Sequence, residues 1–212
     1  MIFYLVRHGR SQANDAGLVT GTPVDLLTEA GVEQAVKLAA WLAEQDVVVD
    51  RCYVSHWQRA QQTAQRILPA ADWRVDRRLG ETDAGDVAEW PLARFVAEQP
   101  DFYTDAQQAY PGGESHLQLN ARVLDWWREV RGEPCECVMV VAHSGPISCL
   151  LQAVLGVGME RFPAFLPANG SVSVIEVDCK AGRESARLLG FSMGPGENLA
   201  SALRVAAQRE AP

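Results

Sequence analysis

The sequence lacks any apolar run long enough to cross a bilayer. The apolar stretches at Ile2–Val6 and Ile147–Leu155 fall well short of the roughly 20 residues that a transmembrane helix requires. A secretory signal would also need a longer apolar segment after a basic start. We therefore expect a soluble, cytoplasmic protein that has no membrane partner.

Basic residues are also few. Lysine and arginine together number 19 against 27 aspartates and glutamates, so the formal net charge is -8 and the pI is about 5.0. An acidic surface argues against nucleic acid and anionic membranes as partners. If the ligand is itself an anion, a small basic pocket must act against the charge of the whole molecule.

Cysteine is too sparse and too irregular for a disulfide scaffold. The five cysteines are odd in number and follow no repeated spacing, which favours reduced thiols in a cytosol. Cys135 and Cys137 form a close pair, but no second pair completes a set of four metal ligands. We therefore expect neither a metal site nor a cofactor.

The main pattern in the sequence is an alternation of apolar strands and helical segments. This alternation predicts an α/β fold, a three-layer sandwich with a mostly parallel central sheet and helices on both faces. The length of 212 residues favours a single domain over 1–212. The expected strands are Ile2–Val6, Arg51–Val54, Trp73–Asp76, Val138–Ala142, Ser171–Val177 and Ala186–Phe191.

Helix starts are marked by capping residues and by proline. Thr28 is expected to cap a helix that runs to about Glu44, and Pro146 suits the first turn of another. The pairs Ser55 with Gln58 and Ser115 with Gln118 have the spacing of capping boxes. The Ala-rich tail after Gly194 indicates a short helix.

Residues 81–115 interrupt this regular pattern. They are rich in proline and glycine, with aromatic residues between them, and they predict an insert that forms a lid over the carboxyl edge of the strands. The aromatic residues form either a small core beneath the loop or an apolar wall that accepts varied alcohols.

Polar residues come directly after the strands. Arg7-His8-Gly9 follows the first strand and His143-Ser144-Gly145 the fourth, while Arg59 and Glu81 come shortly after the second and third. Ligands bind beyond the carboxyl ends of strands in open α/β sheets. If the strands are parallel, two histidines, two arginines and one carboxylate meet at one edge.

This set of side chains suits phosphoryl transfer, which depends mainly on positioning and on stabilising the charge of the equatorial oxygens. The guanidinium group matches phosphate oxygens with a planar fork of donors. A neutral histidine can attack phosphorus, and a carboxylic acid can protonate the leaving oxygen. Side chains supply the cations, so the chemistry needs no metal.

These residues resemble the motifs of the histidine phosphatase superfamily, the phosphoglycerate mutase-like clan. Arg7-His8-Gly9 resembles its signature, and further ordered blocks extend the resemblance along most of the chain. These blocks are Asn14, Asp25–Thr28, Ser55 with Arg59 and Thr63, Glu81 with Gly85, Pro111–Ser115 and Val140–His143.

The resemblance implies roles for the matched residues. His8 is the expected nucleophile, and Arg7, Arg59 and His143 are expected to bind the phosphoryl oxygens. Glu81 is the expected proton donor, although Asp83 and Glu114 remain rival carboxylates. Asn14 and Ser144 are expected to add phosphate contacts.

Three further residues are candidates for substrate binding, namely Arg10, Gly21 and Trp90. Arg10 departs from the family, in which an acidic residue or an amide usually follows the signature glycine. It either binds a second anionic group of the substrate or points to solvent. His56 and His116 lie at helix starts and are expected to be structural or solvent-facing.

The resulting hypothesis is a metal-independent phosphatase of small-molecule phosphomonoesters. Phosphoglycerate mutase activity is the first alternative, which the resemblance disfavours because family mutases are longer and have larger inserts. A non-catalytic module that binds a phospholigand is the second. The sequence leaves open which phosphomonoester is used and whether the chain forms a homodimer.

Overall fold

The computed structural model describes residues 1–180 and 183–199, and it confirms the predicted α/β fold. Six strands form one sheet in the order β3-β2-β4-β1-β5-β6. Their bounds are β1 Ile2–Arg7, β2 Arg51–Ser55, β3 Trp73–Asp76, β4 Cys137–Ala142, β5 Val172–Lys180 and β6 Arg183–Met193. The first four strands of that order run parallel, whereas β5 is antiparallel to β1 and to β6.

Helices cover both faces of the sheet. They are α1 Gln12–Asp15, α2 Glu29–Glu44, α3 Gln58–Ile67, α4 Leu92–Glu98, α5 His116–Val130 and α6 Ser144–Leu155. Phe3 and Leu5 of β1 pack in one core with α5 and α6. Tyr4 and Val6 point to the other face and pack with α2 and α3. The alternation of side chains along a strand thus builds the three predicted layers.

The helix starts agree with the sequence in three cases and differ in one. Thr28 caps α2, and Ser115 forms a capping box with Gln118 at the start of α5. The predicted capping box at Ser55 is wrong, because α3 is capped by Trp57 without a side-chain bond. Pro146 lies in the first turn of α6, as predicted, and the helix begins two residues earlier, at Ser144.

Residues 81–115 contain more regular structure than the sequence indicates. They include α4 and short 3-10 turns at Gly85–Val87 and Phe102–Thr104. Phe95, Phe102 and Tyr110 form a small core of their own, as one of the two sequence interpretations requires. The predicted tail helix falls mostly beyond residue 199 and outside the described residues. In the part of the chain that is described, no helix has the length and apolar character needed to span a membrane.

Candidate active site

The carboxyl ends of β1 and β4 bring the two strand-end histidines together. These strands are parallel neighbours in the sheet, and the ring centroids of His8 and His143 lie 4.9 Å apart. Arg59 reaches the same point from the first turn of α3, which follows β2. All three side chains are buried, with no more than 2% of the residue exposed. The structure therefore joins three of the predicted residues in a single cluster.

The tautomer of His8 is set by the backbone of the next residue. Nδ1 of His8 lies 2.6 Å from the carbonyl oxygen of Gly9, and a carbonyl can only accept, so Nδ1 carries the proton. Nε2 therefore keeps its lone pair, which accepts a hydrogen bond from Nε of Arg59 at 3.0 Å. Burial lowers the pKa of His8 well below its ordinary value, and the positive charges of Arg59 and Arg7 lower it further. The ring is therefore neutral at physiological pH.

His143 is held between Arg59 and Ser55. Its Nδ1 lies 3.3 Å from Nε of Arg59, which donates to both histidines, and its Nε2 lies 2.8 Å from Oγ of Ser55. Burial, followed by the charge of Arg59, lowers the pKa of His143 well below its ordinary value. A bound phosphoryl dianion would act in the opposite direction and favour the protonated ring.

Arg59 is fixed by contacts on two sides. Its Nη1 donates to Oδ2 of Asp25 at 2.9 Å, in an ion pair with 2% and 7% side-chain exposure, and its guanidinium lies 4.5 Å from the ring centre of Trp57. Gly21 makes room for this arrangement. A Cβ atom there would lie 2.5 Å from Cβ of Ala13 and 3.1 Å from Nη1 of Arg59, and its φ of 72° also favours glycine.

Arg7 provides a donor that the described residues leave unused. Its Nη1 donates to the carbonyl oxygen of Pro167 at 2.6 Å, but its buried Nε has no acceptor among the described residues. A buried polar group without a partner costs about 1–3 kcal/mol. An anionic oxygen beside Arg7 would therefore stabilise the site.

The side chain of Glu81 contacts the first residues of α6. Its carboxylate accepts hydrogen bonds from the amide of Thr82 at 3.0 Å, from Oγ of Ser144 at 3.3 Å and from the amide of Gly145 at 3.4 Å. A Cβ atom on Gly145 would lie 2.2 Å from the Glu81 carboxylate. Glycine at this position thus allows the acid to approach the positive end of the helix.

The two rival carboxylates are engaged elsewhere. Glu114 forms two hydrogen bonds with Arg122, at 2.6 and 3.0 Å. Asp83 is exposed and accepts from the amide of Gly85. Among the three carboxylates, Glu81 is therefore the one in direct contact with the helix that begins next to His143.

Two cavities meet at Glu81. The first, which we call the polar cavity, has a volume of about 300 Å³, and its charged lining residues are Glu81, Asp83, Glu114, Arg77 and Arg122. The second, which we call the aromatic cleft, has a volume of about 360 Å³ and includes Leu92, Val96, Tyr103, Tyr110, Phe162 and Leu166 in its wall. Neither histidine of the cluster lines these cavities, and Glu81 lies at the border of both.

The other residues predicted to bind phosphate or substrate lie in different surroundings. Oδ1 of Asn14 accepts hydrogen bonds from the amide of Ser11 and from Asn169, and Ser144 bonds Glu81. Gly21 lines the polar cavity. Arg10 is exposed and forms an ion pair with Asp15. Trp90 stacks on Arg94 at 3.7 Å and lines neither cavity.

Four residues near the cluster were assigned no function from the sequence, although Asp25 and Thr63 lie in the motif blocks. Asp25 holds Arg59, and Trp57 stacks against it. Oγ1 of Thr63 accepts from the amide of Gly9 at 3.1 Å, and Nδ2 of Asn169 donates to the carbonyl oxygen of His8 at 3.1 Å. Asn169 comes shortly before β5. Because β5 is antiparallel to β1, it starts at the carboxyl end of β1, and this position could have identified Asn169. His116, expected to be structural or solvent-facing, lines the aromatic cleft and is 3% exposed.

No group of three or more histidine, cysteine, aspartate or glutamate side chains in the described ranges has an arrangement that could hold a metal ion. The cations next to the histidine cluster are the guanidinium groups of Arg7 and Arg59. A phosphoryl group beside His8 would therefore face side-chain donors on several sides. This arrangement can support in-line transfer of a phosphoryl group to Nε2.

Comparison with known proteins identifies relatives along nearly the whole chain. The sequence model of the histidine phosphatase superfamily (branch 1) matches residues 3–188. A 2,3-bisphosphoglycerate-dependent phosphoglycerate mutase of Sinorhizobium fredii is 31% identical over 202 residues, covering 88% of this chain and 94% of the mutase. A solved mycobacterial glucosyl-3-phosphoglycerate phosphatase with VO3 has a TM-score of 0.78 and 28% identity, covering 91% of this chain and 99% of that one.

A third relative is larger than this chain. The human 6-phosphofructo-2-kinase/fructose-2,6-bisphosphatase 4 is 32% identical over 170 residues, which cover 76% of this chain but 34% of that protein. The chain therefore spans about a third of this relative. The expectation that family mutases are longer than this chain is corrected by the Sinorhizobium mutase. The match covers 94% of that mutase, so the two chains are similar in length. Length does not distinguish hydrolysis from mutase activity here.

Proposed function

Because this chain belongs to the histidine phosphatase superfamily (branch 1), we propose that it hydrolyses small-molecule phosphomonoesters through a phosphohistidine at His8. The observation that carries the proposal is the tautomer of His8, whose Nδ1 proton is bound by the carbonyl oxygen of Gly9. Nε2 therefore offers a lone pair beside Arg59. A module that only binds a phospholigand has no need for a nucleophile at this point.

The first step transfers the phosphoryl group to the enzyme. Nε2 of His8 attacks phosphorus, so that a P–N bond forms while the P–O bond to the alcohol breaks. Glu81, in its protonated form, gives its proton to the leaving oxygen. Arg7, Arg59 and a protonated His143 neutralise the charge on the three equatorial oxygens. Asn14 and Ser144 support this set through their contacts with Asn169 and Glu81.

The second step returns the enzyme to its starting form. Glu81, now a carboxylate, takes a proton from a water molecule as the water oxygen attacks phosphorus. The P–N bond breaks, and its electron pair returns to Nε2 of His8. Inorganic phosphate leaves, and Glu81 holds the proton for the next cycle.

Hydrolysis is favoured over mutase activity by the charges around Glu81. A mutase must hold substrates that carry a second anionic group. The polar cavity contains three carboxylates, Glu81, Asp83 and Glu114, against two arginines, and Arg122 is already paired with Glu114. Arg10, the residue that the sequence offered for a second anionic group, is paired with Asp15. This balance supports a substrate with a single phosphate.

Trapping of the intermediate tests the proposal. Brief incubation with a ³²P-labelled ester should give a protein label that is labile in acid and stable in alkali. The label should be absent from His8→Ala and present in His56→Ala, which removes a half-buried histidine outside the cluster. A label that persists in His8→Ala would refute His8 as the nucleophile.

Mutase activity remains the second candidate because of the 31% identity to the Sinorhizobium enzyme. The two activities are separated by measuring, in one reaction with 3-phosphoglycerate, the inorganic phosphate released and the phosphoglycerate isomerised. Isomerisation that exceeds hydrolysis would favour the mutase. The same assay with a chelator should keep full activity, because side chains supply the cations.

A further inference from the structure

We infer that the aromatic cleft binds the alcohol part of the substrate, and that this alcohol is apolar and carries no second anionic group. The inference rests on the proposed function and names its substrate class. Glu81, which gives its proton to the leaving oxygen, lines the cleft together with Ser144 and Gly145. The alcohol next to that oxygen therefore has the cleft directly in front of it.

The described residues that line the cleft carry no positive charge. None of them is a lysine or arginine, and Glu81 is the one carboxylate among them. Burial lowers the pKa of His116 and raises the pKa of Tyr103 and of Tyr110, so that all three side chains are neutral at physiological pH. A carboxylate or second phosphate in the cleft would face Glu81 without a compensating cation.

The hydroxyl groups of the cleft are largely engaged within the protein. The hydroxyls of Tyr103 and Tyr110 bond each other at 3.1 Å, and Oγ1 of Thr20 donates to the carbonyl oxygen of Gly21. Oγ of Ser144 donates to Glu81. A sugar or glycerate would leave several of its hydroxyls without partners here, whereas an apolar group would lose none.

Several large apolar side chains are exposed at the mouth of the cleft. Leu92 and Val96, one turn apart on α4, are 39% and 41% exposed, and Tyr103 and Leu166 are 36% and 63% exposed. All four line the same cavity. Exposed apolar residues that converge on one concave surface mark a ligand site. An apolar alcohol would cover them.

Two esters with similar leaving groups test the inference. 3-Phenylpropyl phosphate and 4-carboxybutyl phosphate are both primary alkyl esters, so their chemical reactivity is nearly the same and their contacts with the cleft differ. We expect kcat/KM to be at least about tenfold higher for the phenylpropyl ester. Equal or reversed preference would overturn the inference. The corresponding phosphonates, which cannot be hydrolysed, should show the same preference in Kd by calorimetry.

Variants locate the preference in the cleft. Leu166→Lys places a cation at the mouth, and we expect it to reduce the preference for the phenylpropyl ester about tenfold. Val48→Lys, at a position that is 76% exposed and lines a different cavity, should leave the preference unchanged, and so should Arg77→Ala in the polar cavity. A higher preference for the phenylpropyl ester in Arg77→Ala, caused by loss of a cation that attracts the carboxylate of the other ester, would instead assign the alcohol to the polar cavity.

The inference and the proposed function fail in different ways. If neither ester releases phosphate while the phosphonates keep their order of affinity, hydrolysis is refuted and the apolar ligand class stands. If both esters release phosphate at equal rates, hydrolysis stands and the apolar ligand class is refuted. Inhibition by inorganic phosphate should be the same in Leu166→Lys and the unmodified protein, because phosphate does not reach the cleft.

Discussion

Nε of Arg59 donates one hydrogen bond to two acceptors, Nε2 of His8 at 3.0 Å and Nδ1 of His143 at 3.3 Å. The shared donor holds both imidazoles in the orientation in which their lone pairs converge. In the proposed mechanism this N–H turns to a phosphoryl oxygen when the substrate binds, and Nε2 of His8 is then free to attack. Arg59 therefore orients both imidazoles before the substrate binds, and it binds a phosphoryl oxygen in the proposed mechanism.

The position of Arg59 depends on Asp25, and Asp25→Asn tests this dependence. The amide keeps the shape of the side chain but loses the charge that pairs with Nη1 at 2.9 Å. We expect kcat/KM to fall about 10–100-fold, since a misplacement of about 1 Å has effects of this size. Steady-state kinetics measure the effect, and it should be mainly in kcat.

The matched control is Asp15→Asn, which removes the carboxylate of an exposed pair with Arg10. Exposed pairs contribute little, so this variant should retain its activity. If Asp25→Asn is as active as the unmodified protein, Asp25 does not position Arg59.

Ser55 acts on His143 through a hydrogen bond at 2.8 Å, and Ser55→Ala removes it. The protonated form of His143 has two N–H groups, so it needs an acceptor at Nε2 while Nδ1 faces the phosphoryl oxygen. Without Ser55 this form is less stable. We expect Kd for inorganic phosphate to rise about tenfold.

The control for Ser55 is Ser148→Ala, because Ser148 is equally buried and bonds within α6 and to the following loop. Its loss should lower thermal stability without changing phosphate affinity. Equal Kd values for Ser55→Ala and Ser148→Ala would show that Ser55 has no specific role.

The sequence was sufficient to predict the strands and which polar residues come directly after them. The buried runs of β1 and β4 are apolar on both faces, which few positions other than the middle of a parallel sheet allow. Once these strands are neighbours, His8 must lie beside His143. The family motifs carried the same information for Arg59 and Glu81.

Contacts between distant segments could not be predicted from the sequence. The Ser55 and Gln58 pattern is the local signal of a capping box, but the Ser55 hydroxyl bonds His143, 88 residues away. Tertiary contact overrides local preference in such cases. Asn169 was missed because the pattern of β5 does not reveal its direction, and Trp90 was proposed because an aromatic residue in an insert does not show what it stacks on.

The two buried histidines make stability depend on pH. Their pKa values lie well below 6.5 in the folded chain, whereas the unfolded chain titrates near the ordinary value. Below about pH 6.5 the unfolded state therefore binds more protons, and the free energy of unfolding decreases as the pH falls. Each ring contributes about 1.4 kcal/mol per pH unit until the folded pKa is reached.

Chemical denaturation between about pH 7.5 and pH 5 measures this dependence. The double variant His8→Asn/His143→Asn should lose stability less steeply over this range than the unmodified protein. Val123→Ala, a change in the core without a titratable group, should shift the curve in parallel. Identical slopes for the double variant and the unmodified protein would show that neither ring is kept neutral by folding.

Glu81 is expected to control how strongly the rate depends on the leaving group. Glu81→Gln retains the hydrogen-bond acceptor that faces the start of α6 but cannot supply a proton. Alkyl esters, whose alkoxide is a poor leaving group, should lose about 10²–10⁴-fold in kcat, whereas aryl esters should lose much less.

A series of alkyl and aryl phosphates tests this expectation, because the logarithm of kcat should fall more steeply with leaving-group pKa in Glu81→Gln. Asp83→Asn is the matched control, since Asp83 lines the same polar cavity and its amide can still accept from Gly85. It should keep the original slope. A steeper slope in Asp83→Asn, with Glu81→Gln unaffected, would transfer the role of proton donor from Glu81 to Asp83.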